Sequence, residues 1–275
     1  MIKIENITYK YKFTGNILEN VNLEINDGEV VVIVGKNGTG KSTLAKLIAG
    51  ILIPKSGEIT IDEISTKNKK RKFDIRKKVG MLFQNPENQI IFPKVKDDLE
   101  FALNNLKIED KETRVKESLE LVGMESYYEK DSYGLSMGQK QRINIAGILA
   151  VNPKYIVMDE PTTMIDTVGK ENVHKIITGL KQRGYTCIIV TNNSDEILLA
   201  DRIVILEDKR IKKIIKKEEI LENSKLLKES EIKLPDTIEI LLKMKENGCL
   251  NENITDFSKE NLINIIMDVK KNGRK

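Results

Sequence analysis

The chain has 275 residues, 40% of them hydrophobic and 32% charged, which excludes a largely disordered polymer and suits one large α/β domain or a domain with an appendage. Its 46 Lys and Arg against 42 Asp and Glu leave a formal charge of +4, too small an excess to argue for nucleic acid, and two cysteines with one histidine cannot build a zinc site of the usual kind. No apolar run approaches the roughly 18 residues that span a bilayer, and the opening MIKIENITYKYK lacks the apolar block of a signal peptide, so a cytoplasmic protein is expected.

In chain order, Ile2, Ile4 and Ile7 with Tyr9 and Tyr11 suggest a half-buried opening strand. Val30–Val34 is a short β-branched run of the buried parallel kind. It feeds Gly35-Lys36-Asn37-Gly38-Thr39-Gly40-Lys41-Ser42, which matches G-x-x-x-x-G-K-[ST], and the apolar-periodic STLAKLIAG leaves it. Strand, loop and helix thus stand in the order a phosphate cradle needs. Gly35, Gly38 and Gly40 let backbone wrap an anion, successive N–H groups and the helix N-terminus face it, and Lys41 brings a mobile charge to the β- and γ-phosphates. The Ser42 hydroxyl is the expected Mg²⁺ ligand.

Residues 67–78 hold eight basic side chains. A nucleic-acid or membrane contact is one reading; a solvated connecting segment is the preferred one, since no aromatic stacking series accompanies the charge. The strand GMLF then ends at Gln84, and FALNNL, VKESLELV and QRINIAGILA read as helices interrupting the α/β pattern. Residues 155–158 form an apolar strand ending in Asp159, with Glu160 directly after it. At the carboxyl edge of a parallel sheet, Asp159 can hold Mg²⁺ and Glu160 can polarise an attacking water. Paired with the phosphate loop, these acids predict a nucleotide hydrolase. His174 lies in VHKIITGL and reads as an ordinary helix residue. Two further buried strands, 187–190 and 203–206, follow, with Cys187 as a buried free thiol. Fifteen of the 17 glycines precede residue 185, and the Lys- and Glu-rich tail beyond 207 reads as helical. Its helices are expected at 235–247 and 258–272, capped by Asp236 and Ser258 and stopped by Gly248 and Gly273. Leu262, Ile265, Ile266 and Val269 share one helical face.

Leu135-Ser136-Met137-Gly138-Gln139 resembles the LSGGQ signature of the ATP-binding cassette (ABC) ATPases. Gln84 resembles their Q-loop glutamine, Tyr11 falls where they place an aromatic residue against adenine, and the segment from Pro161 to Asp166 resembles their D-loop. The resemblance implies the α/β P-loop NTPase fold of an ABC nucleotide-binding domain: a RecA-like core, an antiparallel β subdomain and a helical subdomain at about 93–150. It covers residues 1–207, leaving 208–275 as a C-terminal helical extension. It implies that Tyr11, the loop from Gly35 through Lys36, Asn37, Gly38, Thr39, Gly40 and Lys41 to Ser42, and Thr43 bind ATP. Ser42, Gln84 and Asp159 would hold Mg²⁺, with Glu160 as the base. Ser136, Met137, Gly138 and Gln139 would face the ATP of an opposite cassette, with Asp166 in the D-loop between them.

Phe83-Gln84-Asn85-Pro86-Glu87-Asn88-Gln89 and Asp97-Asp98-Leu99-Glu100-Phe101 look like the energy-coupling factor (ECF) importer ATPases, including the cobalt type. That narrower resemblance implies ATP hydrolysis coupled to uptake of a vitamin or metal ion at the cytoplasmic face of the membrane. Its expected partners are a second ATPase subunit, preferably a paralogue, a transmembrane scaffold and a substrate-binding membrane subunit; no nucleic acid is expected. The tail would join the two ATPases. One position departs: the family's histidine after the strand at 187–190 is replaced by Asn192, an amide that can donate or accept a hydrogen bond but cannot become cationic. The alternatives are therefore the ATPase of another ABC transporter, or a nucleotide switch that hydrolyses slowly.

Overall fold

The computed structural model describes residues 1–250 and 254–272; the expected stop at Gly273 lies outside them. In chain order the elements are β1 (Ile2–Tyr9), β2 (Leu18–Ile25), β3 (Val30–Val34), α1 (Lys41–Ile48), β4 (Ser56–Ile61), β5 (Ile64–Ser65), α2 (Lys72–Lys78) and β6 (Val79–Leu82). Three helices follow, α3 (Val95–Asn105), α4 (Lys111–Leu121) and α5 (Met137–Val151). Then come β7 (Tyr155–Asp159), α6 (Thr167–Gln182), β8 (Thr186–Val190), β9 (Arg202–Glu207), β10 (Arg210–Lys216), α7 (Ser224–Glu229), α8 (Asp236–Glu246) and α9 (Lys259–Asn272).

Two sheets organise the chain. Four antiparallel strands run in the order β2-β1-β4-β5, and six strands run β10-β9-β3-β8-β7-β6, parallel except for β10. The continuous apolar runs follow from burial on both faces. In β3, Val30, Val32 and Val34 pack on the side of α3, α5 and α6, while Val31 and Ile33 pack on the side of α1 and the antiparallel sheet. Each buried Val or Ile contributes about 1.5–3 kcal/mol, so these short strands form the rigid centre. Cys187 is part of it, and burial pushes its thiol up to about 12, which makes it inert.

The structure departs from the sequence expectations in three places. The opening strand ends at Tyr9, not Tyr11, and its alternation slips one residue at Asn6, whose φ is +50° at a register shift. The tail begins with a strand rather than a helix: β10 pairs antiparallel with β9 at the sheet edge, its Lys-rich face turned to solvent. In the tail helices Pro235, not Asp236, occupies the cap of α8, and Asp236 sits in the first turn, where it still opposes the helix dipole. Ser258 does cap α9, its Oγ accepting from Asn261 N–H at 3.2 Å, and Gly248 adopts φ +69° past α8.

The two sheets are tied at their lower edge by a charged cluster. The Met1 amino group donates to Asp27 Oδ1 at 2.6 Å and Asp62 Oδ1 at 2.9 Å, Lys154 reaches both carboxylates at 2.9 Å, Lys78 reaches Asp62 at 2.6 Å, and the one Tyr155 hydroxyl proton is shared between Asp62 Oδ1 at 2.6 Å and Asp27 Oδ1 at 2.8 Å. Burial alone would raise both carboxyls, but these donors outweigh it: Asp27 is lowered from 3.8 to about 2, and Asp62 lies lower still. A depressed carboxyl contributes stability that is fully present above its unfolded value and lost as pH falls through its folded value. Stability is therefore expected to drop from just below pH 4 downward, and Asp62→Asn to flatten that slope. Urea melts at pH 5 and pH 3 on both proteins check this; equal slopes would remove the cluster's role.

Candidate functional site

The site lies where β3, β7 and β8 end. Ile33 pairs with Val190, and Val190 with Asp159, so three loops leave one edge side by side. The first is the phosphate loop. Gly35, with φ +157°, passes so near Leu206 that a Cβ there would meet its carbonyl oxygen at 2.1 Å; Gly40 adopts φ +102° just before α1. Lys41 is buried, and its Nζ donates to the carbonyls of Gly35 at 2.7 Å and Lys36 at 2.9 Å. Burial lowers its pKa, while Glu160 and Asp159 work to hold the charge. Thr39 Oγ1 donates to Lys36 O at 2.9 Å, and Gly38 sits at φ +82° on the rim.

The second loop carries the acids. Ser42 donates to Asp159 Oδ1 at 2.8 Å, so the two expected cation ligands already converge. Burial pushes the Asp159 carboxyl up despite the Ser42 hydrogen bond and the nearby Lys46 and Lys41. A buried carboxylate beside a hydroxyl is an oxygen donor set that fits Mg²⁺ completed by phosphate oxygens. Among the described residues no cluster of three His, Cys, Asp or Glu forms a self-sufficient metal cage. Gln84 stands exposed just beyond β6.

Glu160 has a left-handed backbone, φ +53°, a strain of about 1–3 kcal/mol that persists only where surroundings over-determine it. Its N–H donates to Val190 O at 2.8 Å, and Thr163 Oγ1 donates to its Oε2 at 2.7 Å. Asn192, at the end of β8, gives one amide nitrogen to both Glu160 Oε1 at 2.6 Å and Asn37 Oδ1 at 2.9 Å. The third loop thus touches both of the others. A cavity of 490 Å³ opens beside it, between Lys36, Asn37, Asn192 and the tail residues Glu231 and Lys233, and Lys36 Nζ meets Glu231 at 2.6 Å.

The aromatic position is met by geometry of a particular kind. Tyr11 packs edge-on against Tyr9 with ring centroids 5.1 Å apart, and its hydroxyl shares a 3.2 Å hydrogen bond with Thr43. Phe13, two residues on, is 94% exposed.

The signature residues open helix α5. Ser136 caps α5, accepting from Gln139 N–H at 3.3 Å, while the Gln139 side chain accepts from Ser136 N–H at 2.9 Å. This reciprocal capping box was legible as S-x-x-Q. Met137 is half-buried against the core, and Gly138 abuts Gly169, where a Cβ would meet its Cα at 3.4 Å. Asp166 caps α6 by accepting from Gly169 N–H at 2.8 Å. Sequence reasoning missed the ties from α5 to the other loops. Lys140 meets Glu87 at 2.6 Å, Asn144 donates to Pro86 O at 2.8 Å, and Gln141 donates to Pro161 O at 2.6 Å. His174 stands on helix α6 as expected, and its Nε2 lies 3.7 Å from the buried Glu196.

Removing the charge of Lys41 or Asp159 separates binding from folding. Asp159→Asn should leave the melting temperature without ligand unchanged or higher, since it deletes a destabilised buried carboxylate, yet abolish the rise that MgATP produces. Lys41→Ala should lose that rise as well. Differential scanning fluorimetry with and without MgATP checks both; a full ligand-induced shift in either variant contradicts the assignment.

Residues 18–163 match the ABC transporter family. The energy-coupling factor transporter ATP-binding protein EcfA1 of Oenococcus oeni is 39% identical over 90% of this chain and 91% of its own. The cobalt import ATP-binding protein CbiO of Syntrophus aciditrophicus is 36% identical over 94% and 93%. Among solved structures, cbiO1 of Clostridium perfringens, part of the ABC transporter complex cbiONQ, superimposes with a TM-score of 0.75 at 31% identity, covering 87% of this chain and 98% of that one. The phosphate loop, the paired acids and the capped signature helix therefore stand on a known scaffold, and the chain belongs to the ABC transporter family, in its group of energy-coupling factor and cobalt-import ATP-binding proteins.

Proposed function

We propose that this chain is the ATP-hydrolysing subunit of an ECF-type importer, seated on the cytoplasmic face of the membrane and driving uptake of a vitamin or transition-metal ion. The carrying observation is the convergence of Ser42, Asp159, Glu160 and Asn192 on one sheet edge. Lys41 exchanges its loop carbonyls for the β- and γ-phosphates, and the loop N–H groups and α1 N-terminus face the same anion. Ser42 and Asp159, with Gln84 beyond, would hold Mg²⁺, which neutralises phosphate charge when bound. Glu160, aimed by Thr163 and Asn192, takes the proton of the attacking water.

Among the described residues no hydrogen bond or ion pair joins the signature residues to the phosphate loop of the same chain, which supports a second cassette bringing its own signature there. On α9 the helix is two-faced: Leu262 is buried against the chain's own core, while Ile263, Ile266 and Met267 are exposed. That exposed stripe is the proposed contact with the second ATPase. No helix among the described residues is long and apolar enough to cross a membrane, and the membrane scaffold would dock through a groove between β6, α3 and α5. Ile91, 58% exposed, and Phe101 rim this groove of 240 Å³. Asp98 shapes the rim: its Oδ1 accepts from the N–H groups of Ile91 and Phe92 at 2.7 and 3.0 Å.

Glu160→Gln should preserve ATP binding, slow hydrolysis by about 10²–10⁴ and trap a closed pair of cassettes. Turnover of the assembled transporter measures it, and an unchanged rate would assign the base elsewhere. Asn192 bears on the pairing. A neutral amide replaces a group that elsewhere in the family contacts the γ-phosphate, so a homodimer would carry the substitution twice and a heterodimer once. The heterodimer is the reading advanced here. Asn192→His should raise the rate, and purification with the scaffold should bring down a second, non-identical cassette. A homodimer whose rate ignores the substitution defeats this part.

A further inference from the structure

Below the acids lies a group that hydrolysis chemistry does not use. Glu196, in the 3-10 turn Ser194–Leu199 that follows β8, is 0% exposed. Thr162 Oγ1 donates to its Oε1 at 2.6 Å, and Asn193 Nδ2 donates to Thr162 Oγ1 at 3.1 Å. His174 Nε2, on α6, stands 3.7 Å from the same oxygen, and no other basic side chain among the described residues lies within 4.0 Å. Both Glu196 Oε2 and His174 Nε2 are buried and without a hydrogen-bond partner. A buried carboxylate half satisfied in this way is costly unless it is retained for what it holds.

What it holds is the start of the D-loop segment, directly after the base. Thr162 is two residues past Glu160, whose left-handed backbone must be fixed from several sides. The Val190 carbonyl, Thr163 and Asn192 hold it directly. A further anchor is Thr162, clamped between Glu196 and Asn193. Asn192 and Asn193 thus divide the strand end: the first reaches the base, the second reaches its anchor. We infer that Glu196, backed by His174, is a positioning residue for hydrolysis, a buried strut that sets Glu160 through Thr162. It touches neither nucleotide nor water, and the inference rests on the assignment of Glu160 as base.

Misplacement of a catalytic group by an ångström can cost about a hundredfold in rate. In the assembled transporter, Glu196→Ala and Thr162→Val should each lower kcat about ten- to a hundredfold with the KM for ATP unchanged within about twofold. The double variant should be no slower than the worse single one, because both cut the same link. Glu196→Gln and Thr162→Ser, which keep the acceptor and the hydroxyl, should retain kcat within about threefold and serve if the harsher variants fold poorly. Multiplying losses in the double variant, a raised KM with intact kcat, or equal losses in the conservative and harsh variants would each overturn the strut. The cycle reads coupling between 162 and 196 whatever the base is, whereas Glu160→Gln reads the base alone, so the two failures are distinguishable.

Discussion

The site depends on one line of register. Ile33 of β3, Val190 of β8 and Asp159 of β7 stand opposite one another across two parallel ladders. The residues that follow each of them, Gly35, Asn192 and Glu160, therefore emerge at one edge although 125 residues separate Gly35 from Glu160 along the chain. A slip of one residue in either ladder would turn every strand side chain to the other face. The alternation of the strand side chains between two apolar cores forbids such a slip, so burial of ordinary Val and Ile sets catalytic geometry.

From that edge, contacts run outward through α5. Its first turn presents the capped signature end, its second grips the Q-loop turn through Lys140 and Asn144, and between them Gln141 holds Pro161 beside the acids. One rigid helix thus touches the surface proposed for the second cassette, the loop beside the membrane groove and the segment carrying the base.

Much of this was legible in the sequence, and the reasons divide cleanly. The phosphate loop and the pair Asp159-Glu160 are local patterns whose chemistry needs adjacent residues, and the flanking strands announce themselves by unbroken β-branched runs. The capping box of Ser136 and Gln139 is local too, though its meaning was taken from a signature rather than from S-x-x-Q. Contacts made across the sheet edge were not legible. Asn192 reaches Glu160 and Asn37, and Glu196 reaches Thr162, only because parallel register brings distant loops together. β10 escaped notice because a Lys-rich edge strand has no continuous apolar run, its pairing broken by a shift between Ile211 and Lys213. Nothing in DDLEF reveals that the chain folds back to place two N–H groups over Asp98.

The polar groups of the site are paired with one another: Lys41 with loop carbonyls, Ser42 with Asp159, Asn192 with Glu160 and Asn37, Tyr11 with Thr43. A nucleotide consequently exchanges internal hydrogen bonds for its own. Where neutral groups are exchanged for neutral groups, little free energy is gained, because a typical hydrogen bond nets only about 0.5–1.5 kcal/mol. Exchange favours the ligand where charge enters, since a charge-assisted bond is roughly twice as strong as a neutral one. On the proposed reading Lys41 is where that occurs: it would give up two neutral carbonyls for phosphate oxygens, and the burial that lowers its pKa would also keep water from screening the new contact. Asn192 already gives one amide hydrogen to Glu160 Oε1 and the other to Asn37 Oδ1, so a phosphate oxygen there would replace a bond of much the same kind. On the proposed reading, affinity for the nucleotide would reside in the phosphate loop, while Asn192, bonded to Glu160, would bear on rate rather than binding.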